Sequence, residues 1–185
     1  DQFAAPGFAD NPKDRCYWCK TYLFSSLGEL AKEHQIAYII DGTNFSDTKG
    51  YRPGLKALAE LGVVSPLKEA ALTKEEIRIL SVKEGLPTWN KPSFACLATR
   101  VPYGTRITEE KIRAVEAAEQ LLFDLGFLQF RVRCHGDIAR IEVLPAQLPK
   151  LVENREAVIA RFHALGFRYV TMDLEGFRSG SMDGK

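Results

Sequence analysis

Apolar residues in the first hundred positions recur mainly at helical spacing, with turn-rich loops between the periodic segments. Three segments show this spacing and predict helices, namely residues 17–34, 55–62 and 73–85. The apolar run IAYIID at 36–41 has no helical period and predicts a short buried strand. Residues 41–54 follow it as a loop rich in Gly, Asn and Asp. Because α/β folds place ligands where loops leave buried strands, this loop is a candidate binding site.

The pattern changes near residue 100. Residues 86–106 contain several prolines and no clear period, so we expect irregular structure there. Helical and alternating segments follow in the order helix, strand, strand, helix, strand, over 108–127, 128–135, 138–145, 151–167 and 168–174. This αββαβ order predicts a small α+β layer with an antiparallel sheet. The fold class is therefore α/β, with an α/β remnant over residues 1–100 and an α+β domain over residues 101–185.

The composition of the chain argues against several classes of protein. The chain has 185 residues and a formal net charge of +1, so no overall field attracts it to nucleic acid or to a membrane surface. No apolar run approaches the ~20 residues of a membrane span, and no signal peptide is visible. Four cysteines are too few for a disulfide scaffold and indicate a reducing cytoplasm. The start, DQFAAPGFAD, lacks Met and is loop-like, so we expect a piece of something longer.

A C-x-x-C pair, Cys16 and Cys19, lies in DRCYWCK at the start of the first predicted helix. Thiols three positions apart share one side of a helix, and a helix N-terminus favours thiolates. A thioredoxin-like motif would follow a strand, and none is predicted before this one. A structural zinc site would need two more ligands, and Cys134 and His135 are neighbours on a strand that point to opposite faces. Zinc is therefore possible and is not favoured.

Two further cysteines differ in their surroundings. Cys96 lies in the irregular stretch, four positions before Arg100, whereas the alternating pattern predicts that Cys134 is buried as a small apolar residue. A close pair and one distant thiol make three, the number that leaves one iron of a cubane cluster without a protein ligand. At this point plain free thiols are the favoured interpretation, and a cluster is the alternative.

A basic cluster occupies the predicted hairpin. Arg131 and Arg133 share one face of a strand, and Arg140 and Glu142 share a face of the strand that pairs with it. Adjacent guanidinium groups are costly to bury unless an anion such as phosphate or carboxylate lies between them. A solvated sheet face with cross-strand ion pairs explains the same pattern. Arg178, near the end of the chain, is a further candidate for anion contact.

The loop DGTNFSDTKGYRPG offers a second set of polar groups. Asp41, Asn44, Asp47 and Arg52 supply carboxylate, amide and guanidinium groups from one segment. Asn and Asp also stabilise turns by themselves, so turn chemistry is the alternative explanation.

Long motifs over nearly the whole chain resemble the LarE family of ATP-dependent sulfur transferases in nickel-pincer cofactor synthesis. The motifs are NPKDRCYWCK, DGTN, GYRPGLKAL, WNKPSFACLATRVPYGT, FRVRCHGDIARIE and LGFRYVTMDLEGFRSG. The resemblance implies a PP-loop ATP pyrophosphatase fold, ATP with Mg²⁺, a cytoplasmic homo-oligomer, and no DNA or membrane partner. It also implies a pyridinium mononucleotide substrate, which is adenylated on a carboxylate and converted to a thiocarboxylate. The product nucleotide later holds nickel in a lactate racemase-type enzyme.

The family takes its sulfur either from a sacrificed cysteine or from a 4Fe–4S cluster on three cysteines. Cys16, Cys19 and Cys96 match the cluster type, while Ala95 stands where the sacrificed thiol would lie. The resemblance thus implies a 4Fe–4S cluster whose open iron carries the sulfide.

The resemblance also assigns roles to polar residues. Arg131 and Arg133 match the arginines that bind the substrate phosphate, and Arg178 joins them. Cys96, Arg100 and Glu119 would be catalytic, and Glu142 would line the same site. Asp41 and Asn44 would lie near the nucleotide side.

One feature of the family is missing. The S-G-G-x-D-S loop that cradles ATP phosphates does not occur, and the nearest Ser/Gly run, RSGSMDG, lies at the other end of the chain. We therefore expect a fragment that binds ATP poorly. Two other interpretations stay open, a PP-loop enzyme that thiolates tRNA through three cysteines and a non-catalytic binding or oligomerisation module. The near-neutral charge argues against tRNA.

Overall fold

Residues 1–50, 52–92 and 94–182 are described by a computed structural model of the chain. Within the motifs quoted above, Tyr51, Ser93 and the last two residues of RSGSMDG lie outside the described residues. The chain divides into two units, Asp1–Lys91 and Pro92–Lys185. Cys96 and Arg100 therefore belong to the second unit.

The first unit is mainly helical. Its four α-helices are α1 (Arg15–Glu33), α2 (Pro53–Glu60), α3 (Pro66–Glu69) and α4 (Lys74–Lys83), with 3-10 turns at Gln2–Ala4 and Phe45–Thr48. The three predicted helices are confirmed within a few residues at their ends. The predicted capping box is also present, since Thr73 Oγ1 accepts from the Glu76 amide and Glu76 Oε2 accepts from the Thr73 amide. Helices α1 and α2 approach closely at Gly54, where a Cβ atom would lie 2.9 Å from Cδ of Lys20.

The predicted buried strand at 36–41 is wrong. Over the described residues the segment forms a single parallel bridge, between Ile40 and Val64. Ile36, Tyr38 and Ile40 are 57%, 75% and 65% exposed. An apolar run indicates a tendency to be buried, but a strand also needs neighbouring backbone to pair with. In the part of the unit that is described, Val64 alone supplies that pairing.

The second unit follows the predicted order, with one helix divided in two. Its elements are α5 (Glu109–Asp124), β1 (Phe130–His135), β2 (Ile138–Val143), α6 (Leu148–Glu153), α7 (Arg155–Ala164) and β3 (Tyr169–Met172), with 3-10 turns at Leu97–Arg100 and Pro145–Gln147. The helix predicted over 151–167 is interrupted at Asn154, which ends α6 and begins α7. In neither unit is any described helix both long enough and apolar enough to cross a membrane.

The three strands form one sheet in the order β1-β2-β3. The hairpin is antiparallel, as predicted, and it pairs Arg133 directly with Arg140. The prediction of a wholly antiparallel sheet is wrong, because β3 runs parallel to β2. The connection through α6 and α7 is long enough to carry the chain back to the end of the sheet where β2 begins, which a tight turn cannot do.

The two faces of the hairpin differ in character. One face is apolar and buried, with Phe130, Val132, Cys134, Ala139, Ile141 and Val143. Helix α5 packs on β1 and contributes the buried residues Val115, Ala118 and Leu122. The opposite face carries Arg131, Arg133, His135, Arg140 and Glu142. Three of these charged residues are nevertheless buried, namely Arg131, Arg133 and Glu142.

Candidate functional site

Glu142 is the centre of this charged face. Its fully buried carboxylate accepts hydrogen bonds from Nη2 of Arg133 at 2.8 Å and from Nη2 of Arg140 at 3.1 Å. The hydroxyl of Ser181 donates to the same carboxylate at 2.7 Å. Because Arg133 and Arg140 are directly opposite each other on the paired strands, the carboxylate offsets the repulsion between their charges.

Arg131 lies on the same face, with 5% of its surface exposed. Its Nη1 donates to the backbone oxygen of Phe130 at 2.5 Å. The guanidinium carbon lies 5.0 Å from the ring centre of Phe177 and 6.0 Å from that of Phe94. Burial, and then the charge of Arg100, lower the pKa of Arg131 from its ordinary value. The two aromatic rings thus hold a cation in a desolvated position.

The segment after β3 closes over this face. Oδ2 of Asp173 lies 3.6 Å from Nη1 of Arg140 and 3.0 Å from Nη2 of Arg178. Further along, Oγ of Ser181 accepts from Nη2 of Arg133 at 2.9 Å. The ion pairs therefore form a continuous ladder of alternating charge, from Arg133 through Glu142, Arg140 and Asp173 to Arg178. The sequence offered two explanations for this cluster, anion binding and cross-strand ion pairs. The structure shows ion pairs, and they are formed by the same arginines that the anion-binding prediction names.

In the part of the chain that is described, the charged face still contains side-chain nitrogens that have no hydrogen-bond partner. Over the described residues, four buried side-chain nitrogens of this face lack a hydrogen-bond partner, namely Nε of Arg133, Nε of Arg140, Nε of Arg178 and Nε2 of His135. Burial, and then the charges of Arg140 and Arg133, lower the pKa of His135, so its ring is neutral near pH 7. Buried donors are normally satisfied, and several unsatisfied ones in a single network indicate a missing acceptor such as an anion or water.

Arg100 and Glu119 form a second buried pair. Nε and Nη2 of Arg100 donate to the two Glu119 oxygens at 2.7 Å and 2.9 Å, and Arg100 is fully buried. Oε1 of Glu119 also accepts from the amide of Val132, on the edge strand β1, at 2.9 Å. Nη1 of Arg100 donates to the backbone oxygens of Ala95 at 3.3 Å and Cys96 at 3.4 Å. The pair therefore fixes the segment that carries Cys96 relative to β1.

The cysteines fall in three environments. Cys16 and Cys19 lie in the first two turns of α1, where Cys16 is exposed and Cys19 is partly exposed. Cys96 is exposed and lies just before the 3-10 turn Leu97–Arg100 in the second unit. Cys134 is buried, as predicted, and burial raises the pKa of its thiol. Over the described residues, neither unit by itself gathers three His, Cys, Asp or Glu side chains that could hold a metal ion.

Asp41 and Asn44 lie in the first unit, in the loop after residue 40. Asp41 accepts from Oγ of Ser65 at 2.6 Å and from the Thr43 amide at 3.2 Å, and it lies 3.6 Å from Nζ of Lys20. Burial alone would raise the pKa of Asp41, but the hydrogen bonds from Ser65 and Thr43 and the charge of Lys20 outweigh it and lower that pKa. Asn44 caps the 3-10 turn Phe45–Thr48. Turn chemistry thus accounts for Asn44, and Asp41 is an ionised carboxylate in a well-defined polar site.

The sequence identified part of the charged face. Alternation placed Arg131, Arg133, Arg140 and Glu142 correctly on paired strands. It missed Asp173 and Ser181, and no signal in the sequence marks their contacts, which depend on how the segment after β3 folds back. Of the other predicted residues, Arg100, Glu119 and Arg178 join the second unit's polar network, whereas Cys16, Cys19, Asp41 and Asn44 belong to the first unit.

Comparison with curated proteins finds two relatives above 40% identity. An uncharacterized protein of Synechocystis sp. is 43% identical over 185 residues, which is 99% of this chain and 69% of the relative. The pyridinium-3,5-bisthiocarboxylic acid mononucleotide synthase of Lactiplantibacillus plantarum is 42% identical over 174 residues, 94% of this chain and 63% of the synthase. The chain belongs to the LarE-like family.

A more distant relative is an uncharacterized protein of Methanocaldococcus jannaschii, 31% identical over 169 residues, which is 91% of this chain and 66% of the relative. The LarE-like chain thus spans about two thirds of the length of its curated relatives, from 63% to 69%. No protein-family model matches it. The sequence motifs therefore identified the family, and the structure supplies the arrangement of the charged face.

Proposed function

We propose that this chain is the substrate-binding part of a sulfurtransferase that acts on pyridinium-3,5-biscarboxylic acid mononucleotide. The observation that carries the proposal is the buried charged face of the hairpin, where guanidinium groups retain donors that have no acceptor among the described residues. The 42% identity to a pyridinium-3,5-bisthiocarboxylic acid mononucleotide synthase supports the same substrate class. A mononucleotide carries a phosphate, the anion that such a face suits.

In this proposal Arg131 and Arg133 bind the substrate phosphate. Both are buried and share one face of β1, so an anion between them removes the cost of burying two like charges. Arginine suits the role because its planar fork matches phosphate oxygens and stays charged at any physiological pH. Glu142 holds Arg133 in place and lowers the net charge that the phosphate must neutralise.

The whole protein would carry out the reaction in two steps. A carboxylate oxygen of the substrate attacks the α-phosphorus of ATP, with Mg²⁺, and pyrophosphate leaves. A sulfide then attacks the activated carbonyl carbon and expels AMP, which leaves a thiocarboxylate. Activation is necessary because a carboxylate oxygen is a poor leaving group. Asp41 and Asn44 would lie on the nucleotide side, and the ATP step belongs to the longer protein in this proposal.

Cys16, Cys19 and Cys96 are the proposed ligands of a 4Fe–4S cluster. Their chemistry fits, since Cys16 and Cys96 are exposed, Cys19 is partly exposed, and the first two lie three residues apart near a helix N-terminus that favours thiolates. Bound on three thiolates, such a cluster would supply sulfide at the iron without a protein ligand. Arg100 and Glu119 would act as positioning residues, because they fix the backbone of the Cys96 segment.

The metal content of anaerobically prepared protein tests the sulfur source. We expect about four irons and four acid-labile sulfides per chain, as in a cubane cluster. Cys16→Ala should lose most of the iron and keep its circular dichroism, because Cys16 is exposed. Cys134→Ala is the matched control, since Cys134 is buried in the apolar face and should keep the iron. Zinc without sulfide, or equal iron in wild type and Cys16→Ala, would contradict the assignment.

A further inference from the structure

Arg140 stands directly opposite Arg133 on the neighbouring strand of the charged face. We infer that Arg140 is a further phosphate-binding residue, which completes a cross-strand pair of guanidinium groups around one phosphate. The inference rests on the proposed function, which assigns the phosphate of a mononucleotide to this face. It adds a residue from a second strand to the arginines of β1.

Over the described residues, the contacts of Arg140 leave its Nε donor for a ligand. Its Nη2 donates to Glu142 at 3.1 Å, its Nη1 lies 3.6 Å from Asp173, and its buried Nε has no partner among the described residues. Arg133 resembles Arg140 in this respect, because both of its Nη atoms donate hydrogen bonds and its Nε has no acceptor among the described residues. Side chains directly opposite on antiparallel strands start about 5 Å apart, so one tetrahedral anion can accept from both.

The positive charge of the arginines on this face also favours the binding of an anion. Over the described residues, Arg133, Arg140 and Arg178 bring three guanidinium groups, which pair with the carboxylates of Glu142, Asp173 and Glu175. Glu175 is 71% exposed, so water screens much of its effect. His135 adds no charge near pH 7, because its pKa is lowered. A phosphate monoester, which carries up to two negative charges, offsets the excess.

Arg140 is more accessible than Arg133, the arginine directly opposite it. Its side chain is 29% exposed, whereas that of Arg133 is 6% exposed. A ligand that arrives from solvent can therefore meet Arg140 before it reaches the buried arginines. Glu142 and Asp173 hold the outer nitrogens of Arg140, so the position of its Nε is fixed before the ligand arrives.

Isothermal titration of the full chain with two probes, inorganic phosphate and nicotinic acid mononucleotide, tests this inference. Arg140→Gln should weaken binding of both probes about tenfold or more, the loss expected for one hydrogen bond to a charged group. Arg140→Lys keeps the positive charge next to Glu142 and lacks the Nε donor, so it should fold normally and bind both probes several-fold more weakly. Arg168→Gln is the matched control, since Arg168 is exposed beside Tyr169 and should leave both affinities unchanged.

Several outcomes would overturn the inference. These are unchanged affinity in a folded Arg140→Lys protein, a loss confined to the nucleotide, or no phosphate binding by the wild type at millimolar concentration. The cluster experiment is independent of all three, because it reports on the cysteines. Loss of the cluster with intact phosphate binding would instead count against the proposed sulfur transfer and leave the role of Arg140 standing.

Discussion

Glu142 shows how one side chain can organise a charged face. It is fully buried on β2 and accepts hydrogen bonds from Arg133, Arg140 and Ser181. Each partner comes from a different part of the second unit, so the carboxylate connects the hairpin to the segment after β3. The same contacts prevent the two opposed arginines from repelling each other. Glu142 is therefore a stabilising residue, and it holds two arginines of the candidate site in place.

Replacement of Glu142 by Gln should destabilise the protein strongly. The change leaves buried guanidinium groups without a counter-charge, which typically costs about 3–5 kcal/mol of unfolding free energy. Glu175→Gln is the matched control, because Glu175 pairs with Arg178 at the surface and its side chain is 71% exposed, so little change is expected there. Urea denaturation measures both variants. Equal midpoints for the two would contradict the central role of Glu142.

The carboxylate of Asp41 should make stability depend on pH. Its folded-state pKa is lowered, so its contribution is present above the unfolded-state pKa and is lost as the pH falls through the folded-state pKa. Ser65→Ala removes one hydrogen bond to the charged form. The stability difference between wild type and Ser65→Ala should therefore be largest near neutral pH and shrink below about pH 4.

Denaturation at a series of pH values measures this difference. Ser26→Ala is the control, because the Ser26 hydroxyl donates to the backbone oxygen of Tyr22, which does not titrate in this range. The difference between wild type and Ser26→Ala should stay constant with pH. A Ser65→Ala difference that is equally constant would show that Asp41 is not held ionised by this hydrogen bond.

The placement of a single residue could be predicted from the sequence where one local pattern determines it. Strand alternation placed Arg131 and Arg133 together, and the capping-box spacing placed Thr73 against Glu76. The stacking of Phe177 on Arg131 was not predictable. It depends on a chain reversal after β3 that has no local signature.

At the scale of elements, the sequence predicted helices better than strands. A helix satisfies its own backbone, so the spacing of its apolar residues is enough to predict it. A strand depends on distant partners, and over the described residues the segment 36–41 forms a single bridge, to Val64. The predicted direction of β3 was wrong for a related reason. The direction depends on the length of the connection through α6 and α7, and the pattern of residues within β3 does not indicate it.

The turn at Gly176 anchors the segment that covers the charged face. Gly176 has a φ of 70°, and a Cβ atom there would lie 2.8 Å from the backbone oxygen of Val143. Gly176→Ala should therefore lower the unfolding free energy through both the left-handed backbone, about 1–2 kcal/mol, and the clash. It should also weaken phosphate binding, since the neighbouring Phe177 contacts Arg131.

Gly136→Ala separates these two effects. Gly136 has nearly the same φ, 68°, but its Cβ position is open, with nothing within 4 Å. It should therefore show the backbone cost alone and leave phosphate binding unchanged. Thermal denaturation and phosphate titration of both variants provide the comparison. Equal losses in the two would show that contact with β2 does not hold the segment.

At the scale of the molecule, the chain consists of two units that carry different parts of the predicted site. The charged face belongs wholly to Pro92–Lys185, whereas Cys16, Cys19 and Asp41 belong to Asp1–Lys91. The family could be predicted from the sequence because long motifs extend over both units. The role of each site residue could not, because the motifs do not show which side chains contact one another. The assignment of the first unit to a PP-loop domain stays a prediction.

The most direct test of the central claim is the affinity of the chain for pyridinium-3,5-biscarboxylic acid mononucleotide compared with the corresponding nucleoside. Isothermal titration gives both dissociation constants. If buried arginines bind the phosphate, the mononucleotide should bind at least about tenfold more tightly, and Arg133→Gln should abolish that preference. Equal affinity for the two compounds, or a preference that survives in a folded Arg133→Gln protein, would contradict the assignment of this face to the substrate phosphate.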